Sequence, residues 1–248
     1  MEQFSDRHRR WVATFLQGKV KELHYNLNSI VTACDRSMLF FSSRKPIPAD
    51  NEQAVVFGFS AFSNVVQTLK DAVHTVVGEK LPWSRIETLR HGAFMKHVRN
   101  AATHDGHPVV SAWSDGRYFV PRNIVRLDLN NKIVEIPAPS EDIRTLCLEF
   151  SIDYCQLLKE ILSNTENNPQ FQQPSMSIED LEDAINRSNF MPEFVKNLFA
   201  NNREEITKQI ASADYNPIKM AIDSLDRTIC FCEEATRQSP KSNTSSCE

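Results

Sequence analysis

Residues 51–78 have the sequence NEQAVVFGFSAFSNVVQTLKDAVHTVVG. Large apolar side chains recur in this segment at intervals of three and four residues, the period of one buried face of an α-helix. Gly78 stands where a helix that ends at Val77 needs a left-handed cap residue. Similar spacing predicts further long helices over about residues 15–41, 83–104 and 143–161, the last capped by Ser140. The sequence therefore predicts a mainly α fold, an antiparallel four-helix bundle over residues 1–165.

Between the third and fourth helices the apolar period changes from helical to alternating. We interpret this part as a small antiparallel β-meander, inserted at about residues 108–137. The polar, proline-containing residues 166–176 predict a linker. A C-terminal helical appendage is expected over residues 177–238, starting behind a Ser177 cap, with further helices over residues 192–211 and 217–237. A serine-rich disordered tail is expected over residues 239–248.

The composition is that of an ordinary folded protein. Of 248 residues, 41% are hydrophobic and 24% are charged, which excludes a disordered, collagen-like or disulfide-stapled chain. The charged N-terminus and the absence of an 18-residue apolar run predict a cytoplasmic protein without a membrane association, whose six cysteines are reduced. The net charge of −4 argues against broad, nonspecific binding of nucleic acids but permits a local basic site.

Positive charge is concentrated in one window, residues 83–126. This window contains seven Lys or Arg residues against three acids, and four of the seven histidines in the chain, His91, His97, His104 and His107. Residues able to bind and process an anion are therefore grouped on the third helix and the ribbon that follows it.

The third helix is expected to end on Arg99-Asn100-Ala101-Ala102-Thr103-His104, followed by the stop signal Asp105-Gly106-His107-Pro108. An Arg, a polar residue, a short spacer and a His near the end of the third helix of a bundle resemble the signature of the HEPN superfamily (higher eukaryotes and prokaryotes nucleotide-binding). The resemblance covers about residues 10–165. The inserted ribbon and the C-terminal appendage depart from the family pattern.

The resemblance implies a metal-independent endoribonuclease that acts as a homodimer, with a composite site built from two Arg99–His104 pairs. It also implies a toxin or phage-defence effector, with an antitoxin or regulatory protein as a further partner. Asn100 would orient a phosphate or the histidine. The chemistry fits these residues, because attack by a ribose 2′-hydroxyl needs a proton carrier and a cation on the phosphate oxygens. Residues five apart on a straight helix point about 140° from each other, so the two side chains converge only if the helix ends or distorts between them.

Candidate RNA-binding residues surround this motif: Lys96, His97, His107, Arg117 and Arg122. We expect no cofactor and no metal, because no cluster of zinc-ligand spacing, glycine-rich phosphate loop or hydrolase elbow is present. His91 with His97, or His104 with His107, could be drawn as metal ligands, but neither pair has a second cluster beside it.

Two other interpretations stay open. The bundle could be a non-catalytic HEPN-like module that binds nucleotide, RNA or a partner protein, or a structural helical protein in which Arg99 and His104 make internal hydrogen bonds. The C-terminal region from Glu166 onward has 14 acids against 8 bases, and it could cover the basic site as a built-in inhibitor.

Overall fold

A computed structural model describes residues 2–128, 130–172, 177–212 and 215–238. The described chain is mainly α-helical, as the apolar periodicity predicts. Its helices and strands, in chain order, are α1 Glu2–Ser42, α2 Asp50–Val77, α3 Trp83–Glu87, α4 Gly92–His104, β1 Ala112–Ser114, β2 Arg117–Phe119, β3 Ile124–Leu127, β4 Ile133–Ile136, α5 Ile143–Ser163, a 3-10 turn at Pro169–Phe171, α6 Ile178–Arg187, α7 Glu193–Asn201, α8 Arg203–Ser212 and α9 Pro217–Arg237. No helix in the described part of the chain is both long enough and apolar enough to cross a membrane.

The core lies between long helices. α1 packs along α2 and along α9, α5 packs along α9, and α4 packs on α2. Phe62, Phe150 and Tyr154 form an aromatic cluster inside this core, in which Phe150 stacks on Tyr154 and meets Phe62 edge to face. The Tyr154 hydroxyl donates to the Val66 carbonyl oxygen at 2.8 Å. The five cysteines that the structure describes are free thiols, and four of them are buried. Burial raises the pKa of these four thiols and keeps them protonated.

α9 is part of the bundle, which differs from the expectation that the bundle ends near residue 165. Ile218, Ala221 and Leu225 are completely buried in the same core as α1 and α5. Arg144 of α5 donates to the Ala235 carbonyl oxygen near the end of α9 at 2.9 Å and pairs with Asp35 of α1 at 2.6 Å. A helix predicted as part of a C-terminal appendage therefore packs in the core of the bundle.

The predicted third helix is broken in two. α3 ends at Glu87 and α4 begins at Gly92, with His91 in the left-handed region at φ 59°. At Gly92 a Cβ atom would meet the carbonyl oxygen of Ile86, so the backbone of α4 approaches the end of α3 as only glycine permits. The prediction of one continuous helix over residues 83–104 is wrong for this reason.

The inserted ribbon is two separate hairpins and not one meander. β1 pairs antiparallel with β2, in the register Trp113 with Tyr118, and β3 pairs antiparallel with β4, in the register Arg126 with Val134. The hairpin β1–β2 packs on α1 and α5, whereas β4 contacts α4. The two hairpins therefore serve different parts of the bundle.

Several helix ends follow the sequence signals and others do not. Gly78 and Gly106 have positive φ after α2 and α4, as predicted. The N-cap of α5 is Asp142, whose Oδ1 accepts from the Thr145 amide at 3.1 Å, so the prediction of Ser140 is wrong. Ser177 caps α6 in a reciprocal capping box, as expected. The single helix expected over residues 192–211 is instead α7 and α8. The predicted tail at residues 239–248, like residues 173–176 of the predicted linker, lies outside the described residues.

Candidate functional site

Helix α4 positions the motif residues by burying one side and exposing the other. Phe94, Met95, Val98 and Ala101 are buried against the bundle. At 3.6 residues per turn, Asn100 lies near the middle of the opposite side, with Arg99 and His104 toward its two edges. Arg99 and Asn100 are half-buried and His104 is exposed. All three motif residues therefore belong to one accessible side of α4.

Arg99 carries a positive charge that no described carboxylate neutralises. Its Nη1 donates to the Asn100 Oδ1 at 2.9 Å. Its Nε is buried and has no hydrogen-bond partner among the described residues, and Arg99 takes part in no ion pair there. The guanidinium is thus held by a neutral amide and keeps its charge available for an anion.

Arg99 and His104 do not converge within one chain. α4 stays helical through His104, and the glycine that ends it comes two residues later. The Cβ directions of the two residues therefore diverge by about 140°. Thr103, between them in sequence, instead donates to Asn64 Oδ1 of α2 at 2.8 Å. Convergence within one protomer would require the helix to end or distort between the two residues, and α4 does neither.

The residue after His104 is fixed by the hairpin β3–β4. Arg126 Nε lies 2.6 Å from Asp105 Oδ2, and Arg126 Nη2 lies 3.2 Å from Oδ1. The hydrogen bond from Arg126 lowers the pKa of the Asp105 carboxyl, and the charges of His104 and His107 lower it further. The Asp105–Arg126 pair and the two histidines His104 and His107 therefore lie together at the end of α4.

Two of the predicted RNA-binding residues lie along α4. His97 is seven residues before His104, so the two histidines are on the same side of the helix. Burial lowers the pKa of His97, and the neighbouring Lys96 charge lowers it further. Lys96 itself pairs with Glu87 of α3. His97 is therefore held toward its neutral form beside the candidate site.

His107 belongs to the loop that covers the end of α4. Its backbone amide donates to the Ala101 carbonyl oxygen at 3.1 Å, and its Nδ1 is buried without a partner among the described atoms. The ring is close enough to Asp105 to lower the pKa of that carboxyl. The structure thus places His107 with Asp105 and His104.

The seven bases of the 83–126 window fall into two groups. Arg85, Arg90, Lys96 and Arg126 form ion pairs with carboxylates. Arg99, Arg117 and Arg122 form none with the described part of the chain. Arg117 lies on β2, whose hairpin packs on α1 and α5, and Arg122 lies exposed just before β3. Lys96 and His97 therefore lie on α4 and His107 in the loop after it, whereas Arg117 and Arg122 belong to the inserted ribbon.

His91 belongs to a separate cluster at the other end of α4. Its Nε2 lies 2.8 Å from Glu149 Oε2, and Arg90 forms a two-pronged pair with Asp153 at 2.9 and 2.8 Å. These bonds anchor the start of α4 to α5. Among the residues described, no group of three or more His, Cys, Asp or Glu side chains is arranged to hold a metal ion.

The acids of the C-terminal region pair elsewhere than with the 83–126 window. Glu179 and Glu182 pair with Arg203, and Asp180 pairs with Arg7 near the start of α1. In the described ranges no ion pair joins an acid beyond residue 165 to a base of the window. The arrangement gives no support to the hypothesis that this region covers the basic site.

Comparison of the chain with protein-family models, with curated proteins and with solved structures finds no match. The family resemblance therefore rests on the sequence motif alone.

Sequence reasoning missed the pairing of Asp105 with Arg126. The two residues are 21 positions apart and lie in different elements, and neither alone has a distinctive spacing. The one signal was an acid next to His104 in a basic window. That signal could have suggested a partner but could not have identified it.

Proposed function

We propose that the protein is a metal-independent endoribonuclease of HEPN type, a homodimer whose composite site contains Arg99, Asn100 and His104 of both subunits. The observation that carries the proposal is the Arg99 guanidinium, which is oriented by Asn100 on the accessible side of α4 and unpaired with any described carboxylate. A buried ion pair would have indicated a structural role. An unneutralised, half-buried cation on the same helix as an exposed histidine supports binding of a phosphodiester.

The proposed reaction uses the 2′-hydroxyl of the RNA as the nucleophile. One His104 ring accepts the proton of that hydroxyl while its oxygen bonds to the adjacent phosphorus. The bond from phosphorus to the 5′-oxygen breaks, and the leaving oxygen takes a proton from His104 of the partner subunit. Arg99 stabilises the charge that builds on the non-bridging oxygens. The products are a 2′,3′-cyclic phosphate and a 5′-hydroxyl end.

The divergence of Arg99 and His104 within one chain supports a site built from two subunits. A two-fold axis beside α4 places a second copy of each residue across the interface, so that the Arg99 of one subunit can face the His104 of the other. The composite site then has two proton carriers and two cations. A toxin or phage-defence role, with an antitoxin or regulatory partner, belongs to the same proposal.

The first experiment is cleavage of total RNA and tRNA in EDTA by the purified full-length chain and by R99A and H104A. Removal of either group should lower the rate by roughly 10²-fold or more. The matched controls are R187A on α6 and H74A on α2, which remove the same side-chain types far from the motif and should cut at the wild-type rate. Dimerisation is measured on the same samples by sedimentation.

Two outcomes would overturn the proposal. One is a folded wild-type dimer that leaves RNA intact. The other is cleavage that is equally fast in R99A and H104A. RNA binding that persists without cleavage, and that falls in R99A alone, would instead favour a non-catalytic HEPN-like module. The divergence of the two side chains in one chain is the observation that keeps this alternative open.

A further inference from the structure

A groove of about 320 Å³ lies between the loop that joins α1 to α2 and the hairpin β1–β2. This volume is within the range of small-ligand pockets, at their lower end. Its walls include Ile47, Pro48, Glu52, Val110, Trp113 and Tyr118. The wall therefore combines apolar surface, two aromatic rings and one carboxylate.

Trp113 is exposed but fixed in place. It is 45% exposed, yet its Nε1 donates to Ser37 Oγ at 3.0 Å. The Phe41 ring packs edge to face against the indole, with 5.7 Å between the ring centroids. An exposed tryptophan with its polar atom already satisfied is a rigid platform, and such platforms in proteins stack the unpaired bases of single-stranded nucleic acids.

Tyr118 forms a fixed inner wall of the groove. It is buried, and its hydroxyl accepts from Asn51 Nδ2 at 3.0 Å. Asn51 also donates to the Ala33 carbonyl oxygen at 3.0 Å, so the amide is held in one orientation. Because Asn51 is the donor in this contact, the Tyr118 hydroxyl keeps its own proton for donation.

Glu52 supplies the groove with an acceptor that has no cationic partner. It is exposed in the first turn of α2 and forms no ion pair with any described residue. A carboxylate has two parallel acceptor oxygens. Guanine is the RNA base with two adjacent donors on its Watson–Crick edge, N1–H and N2–H₂, whereas adenine and cytosine present a ring-nitrogen acceptor there and uracil has carbonyls on both sides of its single donor.

Positive charge lies in the loop that lines the groove. Arg44 and Lys45 belong to the same loop as Ile47 and Pro48, whereas Arg117 precedes Tyr118 on β2 and lies on the opposite face of that strand. None of the three cations forms an ion pair within the described ranges. The Arg44 amide donates to the Phe41 carbonyl oxygen at 3.0 Å, which keeps this basic loop beside Trp113. Arg44 and Lys45 thus put two unpaired positive charges in the loop that forms one wall of the groove, which suits a nucleotide phosphate.

From these contacts we infer that the groove binds the guanine base of single-stranded RNA, stacked on Trp113 with its Watson–Crick edge on Glu52. The inference rests on the proposed function, since it gives the RNA substrate a base preference. Val110 in the groove wall is six residues from His104, so their Cα atoms are at most about 21 Å apart. A guanine in the groove and a phosphate at His104 are therefore close enough to belong to one short segment of RNA.

The test is titration of the full chain with guanosine, adenosine, cytidine and uridine 5′-monophosphates, followed by tryptophan fluorescence. The guanosine nucleotide should quench the fluorescence and bind at least tenfold more tightly than the other three. W113F should lose the quench, whereas W11F should keep it, because Trp11 is 44% exposed but lies on α1 away from the groove. E52Q should lower the affinity for the guanosine nucleotide roughly tenfold or more. E79Q, which removes the same charge just beyond the other end of α2, should leave the affinity for the guanosine nucleotide unchanged.

Equal binding of all four nucleotides, or a guanosine quench that survives W113F, would overturn the inference. Tighter binding of a trimethyllysine peptide than of the guanosine nucleotide would overturn it as well and would identify an ammonium-binding groove. The titration needs no RNA cleavage, so R99A and H104A separate the two proposals. If these variants lose cleavage and keep the guanosine quench, both proposals stand. If wild type binds the nucleotide but never cuts, only the proposed reaction fails.

Discussion

Arg126 on β3 holds the carboxylate of Asp105 with two hydrogen bonds, Nε to Oδ2 at 2.6 Å and Nη2 to Oδ1 at 3.2 Å. This pair ties the hairpin β3–β4 to the residue that follows His104. The candidate catalytic histidine therefore stands at a helix end that is clamped by another element, although His104 itself is exposed. A fixed backbone at this helix end restricts the positions that His104 can take. Such restriction favours a defined geometry when the histidine meets a second subunit.

Loss of the clamp should be visible in the titration of Asp105. R126Q removes the hydrogen bonds that lower the pKa of this carboxyl, so its pKa should rise toward the ordinary aspartate value of about 3.9. The pKa of Asp105 is lower in the folded state than in the unfolded state. The pair therefore stabilises the protein fully at pH values above the unfolded-state pKa, and this stabilisation is lost as the pH falls through the folded-state pKa. Carboxyl NMR measures the pKa. R122Q is the control, and an unchanged Asp105 pKa in R126Q would contradict the assignment.

Gly92 should be intolerant of any side chain. The methyl group of G92A would meet the carbonyl oxygen of Ile86, and relief requires movement of α4 away from α3. We expect a loss of about 2 kcal/mol or more in the free energy of unfolding, measured with urea. G18A is the matched control: its Cβ has no atom within 4 Å, and glycine in a helix interior costs about 0.5–1 kcal/mol, so this variant should be stabilised. Equal stability of the two variants would refute the close approach.

α9 should unfold together with the rest of the bundle. Leu225 is completely buried, and L225A should cost about 2–5 kcal/mol in one cooperative transition. M220A on the same helix removes a side chain that is 41% exposed and should cost far less. Two separate unfolding transitions, with only the weaker one shifted by L225A, would instead indicate an independent C-terminal unit.

The sequence was sufficient for elements whose signals are local. The uninterrupted apolar period of α2 and the glycines at positions 78 and 106 predicted helix ends that the structure confirms. The break before α4 could not be predicted in the same way, because Ile86, Leu89 and Ala93 keep the three-four spacing of a helix across it. Its cause is the contact of the Gly92 backbone with Ile86, which exists only once the two helices have folded.

Pairings between distant elements could not be predicted from the sequence for a related reason. The amphipathic pattern of α9 predicts a buried side but does not say which helices cover it. The sequence predicted that Arg99, Asn100 and His104 lie on one helix, as they do on α4. It could not predict that Asp105 pairs with Arg126 or that Lys96 pairs with Glu87, because both pairs depend on tertiary packing. The fixed indole of Trp113 likewise depends on Ser37 and Phe41 of α1.

The most direct measurement for the central claim is the chemistry of cleavage on a short RNA and on the same RNA with a single 2′-deoxy nucleotide at the cut position, both in EDTA. The account predicts that wild type cuts the RNA to a 2′,3′-cyclic phosphate and a 5′-hydroxyl end, seen by mass spectrometry, and leaves the deoxy-substituted bond intact. Cleavage of the deoxy-substituted bond, or of neither substrate unless a divalent metal is added, would contradict it.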